Sequence, residues 1–253
     1  MRFSCALTRL PGKDMASGIT ASNLGPPDHD KALQQFEAYV DTLRRCGLSV
    51  TVLEPLEGFP DAHFVEDAAV VLPEIAVLTR SGARARRGEV ETVANVLSAY
   101  RKTAAIVPPG TLDGGDVLMV DNHIFIGLSE RTNEFGARQL GNIVSSFGYT
   151  WTTVPVEAGL HFKSSVNSVG DKTLLTTSVF SDHPSLSAYE RIVLAKNEEY
   201  AGNTLLINDH LIMPSGYTDT KEQLQRLNKS IIEVDMSEFR KMDGGLTCLS
   251  LRF

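Results

Sequence analysis

Val117-Leu118-Met119-Val120-Asp121-Asn122-His123-Ile124-Phe125-Ile126-Gly127 reads as an apolar strand, a short polar turn and a second apolar strand. The pattern returns as Thr204-Leu205-Leu206-Ile207, Asn208-Asp209 and His210-Leu211-Ile212-Met213-Pro214. Aligning Asn122-His123 with Asp209-His210 makes Thr132 and Asp219 coincide. Both stand where a helix is expected to begin, over 132–147 in one copy and 219–228 in the other. A strand near Val154 and another at 231–234 complete the two units. Weaker copies run from Ala68 to Leu78 with a Glu89 to Tyr100 helix behind them, and from Asn167 to Thr177 with a short irregular segment behind.

The chain opens with a strand at 2–8, a glycine-rich loop from Gly12 to Gly25, and a helix predicted from Asp28 to Cys46. Asp28 is a suitable N-cap, Leu33, Phe36, Tyr39, Val40 and Leu43 recur at helical spacing, and Gly47 supplies a left-handed stop. About five units of roughly 40 to 50 residues suit a radial or solenoidal repeat, because one such unit cannot bury its apolar face alone. An ordinary mixed α/β sheet alternates its elements in the same way, and periodicity does not choose between the two.

With 253 residues, 42% hydrophobic and 22% charged, the chain can bury a substantial core, and one domain spanning 1–253 is the expectation. A formal charge of −7 argues against a nucleic-acid partner, whose phosphates call for a basic surface. The N-terminal apolar stretch is too short for a signal peptide and no later run reaches membrane-spanning length. The expectation is a cytoplasmic protein that does not bind membranes. Cys5, Cys46 and Cys248 follow no metal-ligand spacing and are odd in number, which speaks against a disulfide framework and a zinc site. Cys5 and Cys46 read as small core hydrophobes.

Cys248 follows Asp243-Gly244-Gly245, which repeats the earlier Asp113-Gly114-Gly115. Each copy reads as an acidic residue, two glycines that allow a turn or a close approach, and then a strand. If the turns are equivalent, Asp113 and Cys248 open onto the same surface. A thiol there is nucleophilic only as thiolate and needs a base or a positive charge beside it. Among the six histidines, His161 stands out, following a strand where other units carry their turn residues. A hydrogen-bonded loop residue is the plainer reading of such a histidine. Glu66-Asp67 leads directly into an apolar strand, with Asp61 nearby, and buried carboxylates need a cation or hydrogen-bond donors. That cation is either a protein arginine or a cationic ligand. Arg86 and Arg131, near helix starts, can clamp a carboxylate or simply be surface charge. Together the candidates describe a ligand with a cationic and an anionic end, such as an amino acid like arginine.

Phe59-Pro60-Asp61, Phe64-Val65-Glu66-Asp67, Arg86-Arg87-Gly88-Glu89, Gly110-Thr111-Leu112-Asp113-Gly114-Gly115-Asp116, Arg131-Thr132-Asn133, Leu160-His161-Phe162-Lys163 and Asp243 to Cys248 occur in an order matching a known family. The chain resembles the dimethylarginine dimethylaminohydrolases of the guanidino-group-modifying, or pentein, superfamily over essentially its whole length. The resemblance implies an α/β fold of five ββαβ blades around a central active site. It implies Cys248 as nucleophile, His161 as acid and base, and Asp113 as the carboxylate that orients His161. Asp67, supported by Glu66, would bind the guanidinium. Arg86 and Arg131 would hold the α-carboxylate, and Asp61 with the backbone at Ile19 and Met242 would meet the α-amino group. The implied reaction converts asymmetric dimethylarginine or monomethylarginine to citrulline and an amine through a covalent thiouronium, with no cofactor or metal. The Gly12 to Gly25 loop resembles the family's mobile lid, and a homodimer is among the states family members adopt. Two other readings stay open at this point: an arginine deiminase or dihydrolase, and a non-catalytic propeller that binds a partner.

Overall fold

The hairpin turns found in the sequence are the inner corners of a five-bladed propeller. A computed structural model describes residues 2–157 and 159–253. Among these, the strands form five sheets of three. Blade two holds β3 (Ala69–Val71), β4 (Ile75–Leu78) and β5 (Lys102–Ala105); blade three holds β6 (Val117–Val120), β7 (His123–Leu128) and β8 (Thr150–Pro155). Blade four comprises β9 (Val166–Gly170), β10 (Thr173–Thr176) and β11 (Glu190–Val193), and blade five β12 (Leu205–Ile207), β13 (His210–Pro214) and β14 (Ser230–Val234). In each, the first two strands pair antiparallel and the last two parallel. A parallel pair needs a long crossover, which is where the helices belong.

α2 (Val90–Leu97), α3 (Glu134–Ser145) and α4 (Thr218–Leu224) supply that crossover in blades two, three and five. Blade four crosses instead through short 3-10 turns at Ser178–Phe180 and Pro184–Leu186, as the irregular sequence there led one to expect. The hairpin turns are alike in backbone. Asp121, Asp171 and Asn208 take φ of 53°, 51° and 53°, the left-handed region that Asp and Asn tolerate better than most residues.

Blade one is built from both ends of the chain. β15 (Leu251–Arg252) pairs antiparallel with β1 (Cys5–Arg9), and β1 pairs parallel with β2 (Ser49–Leu53). Between β1 and β2 runs α1 (His29–Arg45), capped by Asp28, whose carboxylate accepts the Lys31 N–H at 3.0 Å. Gly47, at φ +91°, ends it. Ala32, Phe36, Tyr39, Val40 and Leu43 are its buried stripe and pack with Cys46, Phe239, Leu246 and Leu249.

The first strands of the blades face the axis. Residues of β3, β6, β9, β12 and β15 surround an axial cavity of about 400 Å³. One detail departs from the sequence reading. After Asp113, a 3-10 turn at Gly114–Asp116 runs straight into β6, but after Gly244-Gly245 no strand follows until Leu251. Residues 246–249 form a turn, with the Cys248 N–H on Gly245 O at 3.2 Å. Asn203 holds it there, accepting the Thr247 N–H at 2.9 Å, and Leu246 and Leu249 are drawn into the core.

Tyr39 ties this turn to α1. Its buried hydroxyl donates to Leu246 O at 2.8 Å and pairs with Ser250 Oγ at 2.6 Å. Tyr39→Phe should therefore lose about 1–2 kcal/mol of unfolding free energy, measured as a lower urea midpoint at unchanged slope.

Candidate active site

Four segments end just before the axial strand of a blade, and each brings a reactive side chain. Asp67 lies in the 3-10 turn Val65–Ala68 before β3, and Asp113 immediately precedes the turn before β6. His161 precedes the Phe162–Ser164 turn before β9, and Cys248 lies in the turn before β15. Equivalent positions in the repeat thus converge on the axis from blades two, three, four and one.

Asp67, His161 and Cys248 line one small cavity together with Ile19, Asp61, Arg86, Arg131 and Met242. Phe64, Leu160, Asp243 and Gly244 complete its wall. Asp113 lies behind His161, fully buried, and accepts a hydrogen bond from His161 Nε2 at 3.3 Å and from the Gly82 N–H at 3.1 Å. The imidazole Nε2 is also 3.8 Å from Asp67 Oδ1.

This crowding of acids fixes the protonation of the histidine. Burial alone would lower the His161 pKa, but the charge of Asp67, the hydrogen bond to Asp113 and the charges of Asp116 and Asp113 outweigh it and raise the value to about 9. At neutral pH the ring is an imidazolium. Burial would raise Asp113, yet the hydrogen bond to His161, its charge and that of Arg86 hold the carboxyl below its usual range. Asp67 acts oppositely on the thiol. Burial first, then the charges of Glu66 and Asp67, push Cys248 up to about 12. The site as built holds a thiol and an imidazolium.

The two arginines differ. Arg86 is saturated: Nη1 donates to Asp67 Oδ2 at 2.6 Å, Nε and Nη2 donate to Glu89, and Nη2 also reaches Asp61 O and Phe64 O. Arg131 Nη1 is buried with no hydrogen-bond partner, its nearest acidic oxygen being Asp113 Oδ2 at 3.9 Å. An unpaired buried donor costs about 1–3 kcal/mol, so this nitrogen favours an anionic ligand.

Glu66 does not line the cavity. Its carboxylate faces the axial cavity, accepting from Lys163 Nζ at 2.6 Å, Arg252 Nη2 at 2.9 Å and Thr247 Oγ1 at 2.7 Å. Against the cost of burial, Lys163 and Arg252 keep its carboxyl below the ordinary range. Asp61 is held by the glycine-rich loop, whose Ile19 N–H donates to both of its oxygens at 3.2 and 3.1 Å. The loop is pinned again where Thr20 Oγ1 donates to Lys241 O at 3.1 Å and the Ala21 N–H to Asp243 Oδ2 at 2.6 Å. Enclosed in this way, the cavity has about 20 Å³, room for about one water. As it stands, the cavity has no room for a ligand of arginine's size.

Asp67, Asp113 and His161 have ligand atoms within 4.8 Å of one another, the geometry of a cation site. Here the imidazolium proton supplies the positive charge, and metal ligation by the same residues would require its loss. Sequence reading gave no role to Asp116, Ser129 and Thr132, which bond to one another behind the site, or to Glu89, Lys163 and Arg252, the partners of Arg86 and Glu66. Asp116, Glu89, Thr132 and Lys163 stood inside the motifs quoted from the sequence, whereas Ser129 and Arg252 carried no such signal.

A family model for N,N dimethylarginine dimethylhydrolase, eukaryotic, matches residues 27–250. The N(G),N(G)-dimethylarginine dimethylaminohydrolase of Pseudomonas aeruginosa is 40% identical over 253 residues, covering 99% of this chain and 100% of that protein. Its counterpart from Streptomyces coelicolor is 37% identical over 249 residues, covering 98% and 96%. A solved structure of the Pseudomonas aeruginosa protein, a cysteine-to-serine mutant complexed with citrulline, matches with a TM-score of 0.98 at 40% identity over 100% of both chains. The N-terminal domain of a cyanobacterial arginine dihydrolase shares the fold, at a TM-score of 0.87, 19% identity and coverage of 98% and 97%.

The second glycine of the Asp113 turn sets the fit of this site. A Cβ on Gly115 would lie 2.8 Å from His161 Cγ and Nδ1 and 2.9 Å from Asp67 Oδ1. Gly115→Ala should displace the imidazole and cut kcat about 100-fold, while circular dichroism shows an intact fold.

Proposed function

The chain belongs to the dimethylarginine dimethylaminohydrolase family and is a hydrolase of methylated arginine, and we propose that Cys248, His161 and Asp113 carry the reaction. The observation that supports these roles most directly is a single cavity that joins a thiol, an imidazolium, the Asp67 carboxylate and an unpaired guanidinium nitrogen of Arg131.

In this reading the substrate's α-carboxylate meets Arg131, while Arg86 acts chiefly by holding Asp67 and Glu89 in place. The α-amino group takes up the Asp61 carboxylate and backbone near Ile19 and Met242, so binding exchanges the Ile19–Asp61 bonds for bonds to substrate. The loop between Gly12 and Gly25 opens for this exchange and closes after it, excluding water. The planar cation then lies against Asp67. Glu66 contributes through the backbone and through its charge on the thiol, since its carboxylate is committed to Lys163 and Arg252.

The substrate's cation provides what the free site lacks. A unit charge at about 4 Å and an effective dielectric of about 20 is worth about 4 kcal/mol, or about three pKa units. That is enough to bring Cys248 down from about 12 towards the range of an ordinary thiol. The thiol proton leaves to solvent, and the thiolate attacks the guanidinium carbon to form a C–S bond. His161 gives its proton to the departing amine nitrogen, the C–N bond breaks, and a thiouronium remains. Neutral His161 then takes a proton from water as the oxygen adds to the same carbon. Collapse breaks the C–S bond as the hydroxyl proton of the adduct passes to the departing sulfur, which releases citrulline and restores the thiol. Asp113 stays ionised throughout and stabilises the imidazolium.

The cysteines are unpaired, which supports a reducing, cytoplasmic setting. A homodimer is part of the proposal.

Asymmetric dimethylarginine, monomethylarginine and arginine should be compared for citrulline formation, with the released amine identified. Dimethylamine and methylamine with little ammonia are expected, and Cys248→Ser should lose turnover by roughly 10,000-fold or more while still binding substrate. Ammonia from arginine as the main product, or a serine variant that keeps most of the activity, would overturn the proposal.

A further inference from the structure

Resting on the roles given above to His161, Asp113 and Arg131, we propose that Asp116 is a positioning residue that sets the geometry of all three from behind the site. It touches no cavity wall and is fully buried. Its Oδ1 accepts the N–H of Phe162, the residue after His161, at 2.9 Å. Its Oδ2 accepts the hydroxyls of Ser129 and Thr132, both at 2.6 Å.

Each hydroxyl passes the constraint on. Thr132 Oγ1 accepts the Asp113 N–H at 3.1 Å, and Ser129 Oγ accepts the Arg131 N–H at 3.0 Å and the Thr132 N–H at 3.2 Å. A hydroxyl has one proton to donate. Because Asp116 takes that proton from both Ser129 and Thr132, their lone pairs are free for the backbone of Asp113 and Arg131. Three donors converge on two carboxylate oxygens, and only the ionised form accepts all three. Burial pushes the Asp116 carboxyl above its usual range, and the His161 charge and the bonds from Ser129, Thr132 and Phe162 offset that shift only in part.

An amide cannot replace this group. With Asn at position 116, one orientation would present N–H to the Phe162 N–H, donor against donor. The flipped amide would add a third donor to Ser129 Oγ, whose two lone pairs already accept the Arg131 and Thr132 N–H groups, and would leave both hydroxyl protons without their acceptor. Three functional groups from different parts of the site thus depend on one acceptor pair. Asp116 also adds charge near His161, whose other charged neighbours are Asp67 at 3.8 Å and Asp113 at 3.3 Å. Asp61, Arg86, Arg131, Asp243 and Cys248 share its cavity.

Two readouts separate positioning from mere structural support. The titration of the His161 ring, followed by nuclear magnetic resonance without substrate, should move to lower pH by on the order of one unit in Asp116→Asn. In kinetics, Asp116→Asn should lose kcat by about 100-fold. Ser129→Ala should chiefly raise KM through Arg131, and Thr132→Val should chiefly lower kcat through Asp113. Thr132→Ser, which keeps the hydroxyl, should recover most of the Thr132→Val loss. A folded Asp116→Asn protein with an unmoved His161 titration and a kcat within about two-fold of the parent would overturn the proposal. If that variant does not fold, equal kcat in Thr132→Val and Thr132→Ser overturns it and recovery by serine supports it. Should the parent turn over no methylated arginine, the functional reading fails, while the ring titration still decides the role of Asp116.

Discussion

The structure depends on carboxylates kept away from bulk water around the propeller axis. Each has a separate counterpart: Glu66 has Lys163 and Arg252, Asp67 has Arg86, Asp113 has His161, and Asp116 has two hydroxyls and a backbone N–H. Buried charges persist only with such partners. The thiol among them has none. Burial with the charges of Glu66 and Asp67 holds Cys248 as a thiol, and Asp67, Asp113 and Asp116 hold His161 as an imidazolium, so Asp67 favours the proton donor and disfavours the thiolate at once. A cationic substrate reverses the second effect. The selectivity of such a site for guanidinium compounds is then electrostatic as well as steric, since an uncharged molecule of the same shape leaves the nucleophile protonated.

The repeat explains how groups so distant in sequence meet. Every blade brings its first strand to the axis, and in four of the five blades the turn before that strand carries a side chain to the centre. Asp67, Asp113, His161 and Cys248 occupy such turns. Closing the ring by pairing β15 with β1 fixes the last of them, because Cys248 is three residues from the strand that closes it. The stability of the closure and the placement of the nucleophile are therefore one problem, and Tyr39 joins both to the longest helix.

Much of this was legible in the sequence. The copies at Val117–Gly127 and Thr204–Pro214 gave the blade, and the five three-stranded sheets follow that pattern, with the helix after β1 beginning and ending within a residue of its predicted limits. Of the eight candidates that line the cavity, six stood in the quoted motifs, and Ile19 and Met242 came only from the family resemblance. What the sequence could not display was which acid faces which way. Glu66 and Asp67 are neighbours in a 3-10 turn, and the turn sends one carboxylate to the axial cavity and the other to the site. Arg86 and Arg131 looked interchangeable, yet Glu89, three residues from Arg86, saturates one of them. The strand expected directly after Gly245 became a turn because Asn203, remote in sequence, captures the Thr247 N–H. The Glu66 and Asn203 outcomes are decided by tertiary partners and leave no local signal.

The central claim is that a guanidinium cation on Asp67 lowers the cost of ionising Cys248. Its most direct test is the ultraviolet absorbance of the thiolate as a function of pH in the His161→Gly variant, with asymmetric dimethylarginine bound and with citrulline, the product, whose side chain is uncharged, bound. The account predicts a midpoint lower by about three units with the cation than with citrulline. Equal midpoints for the two ligands would contradict it.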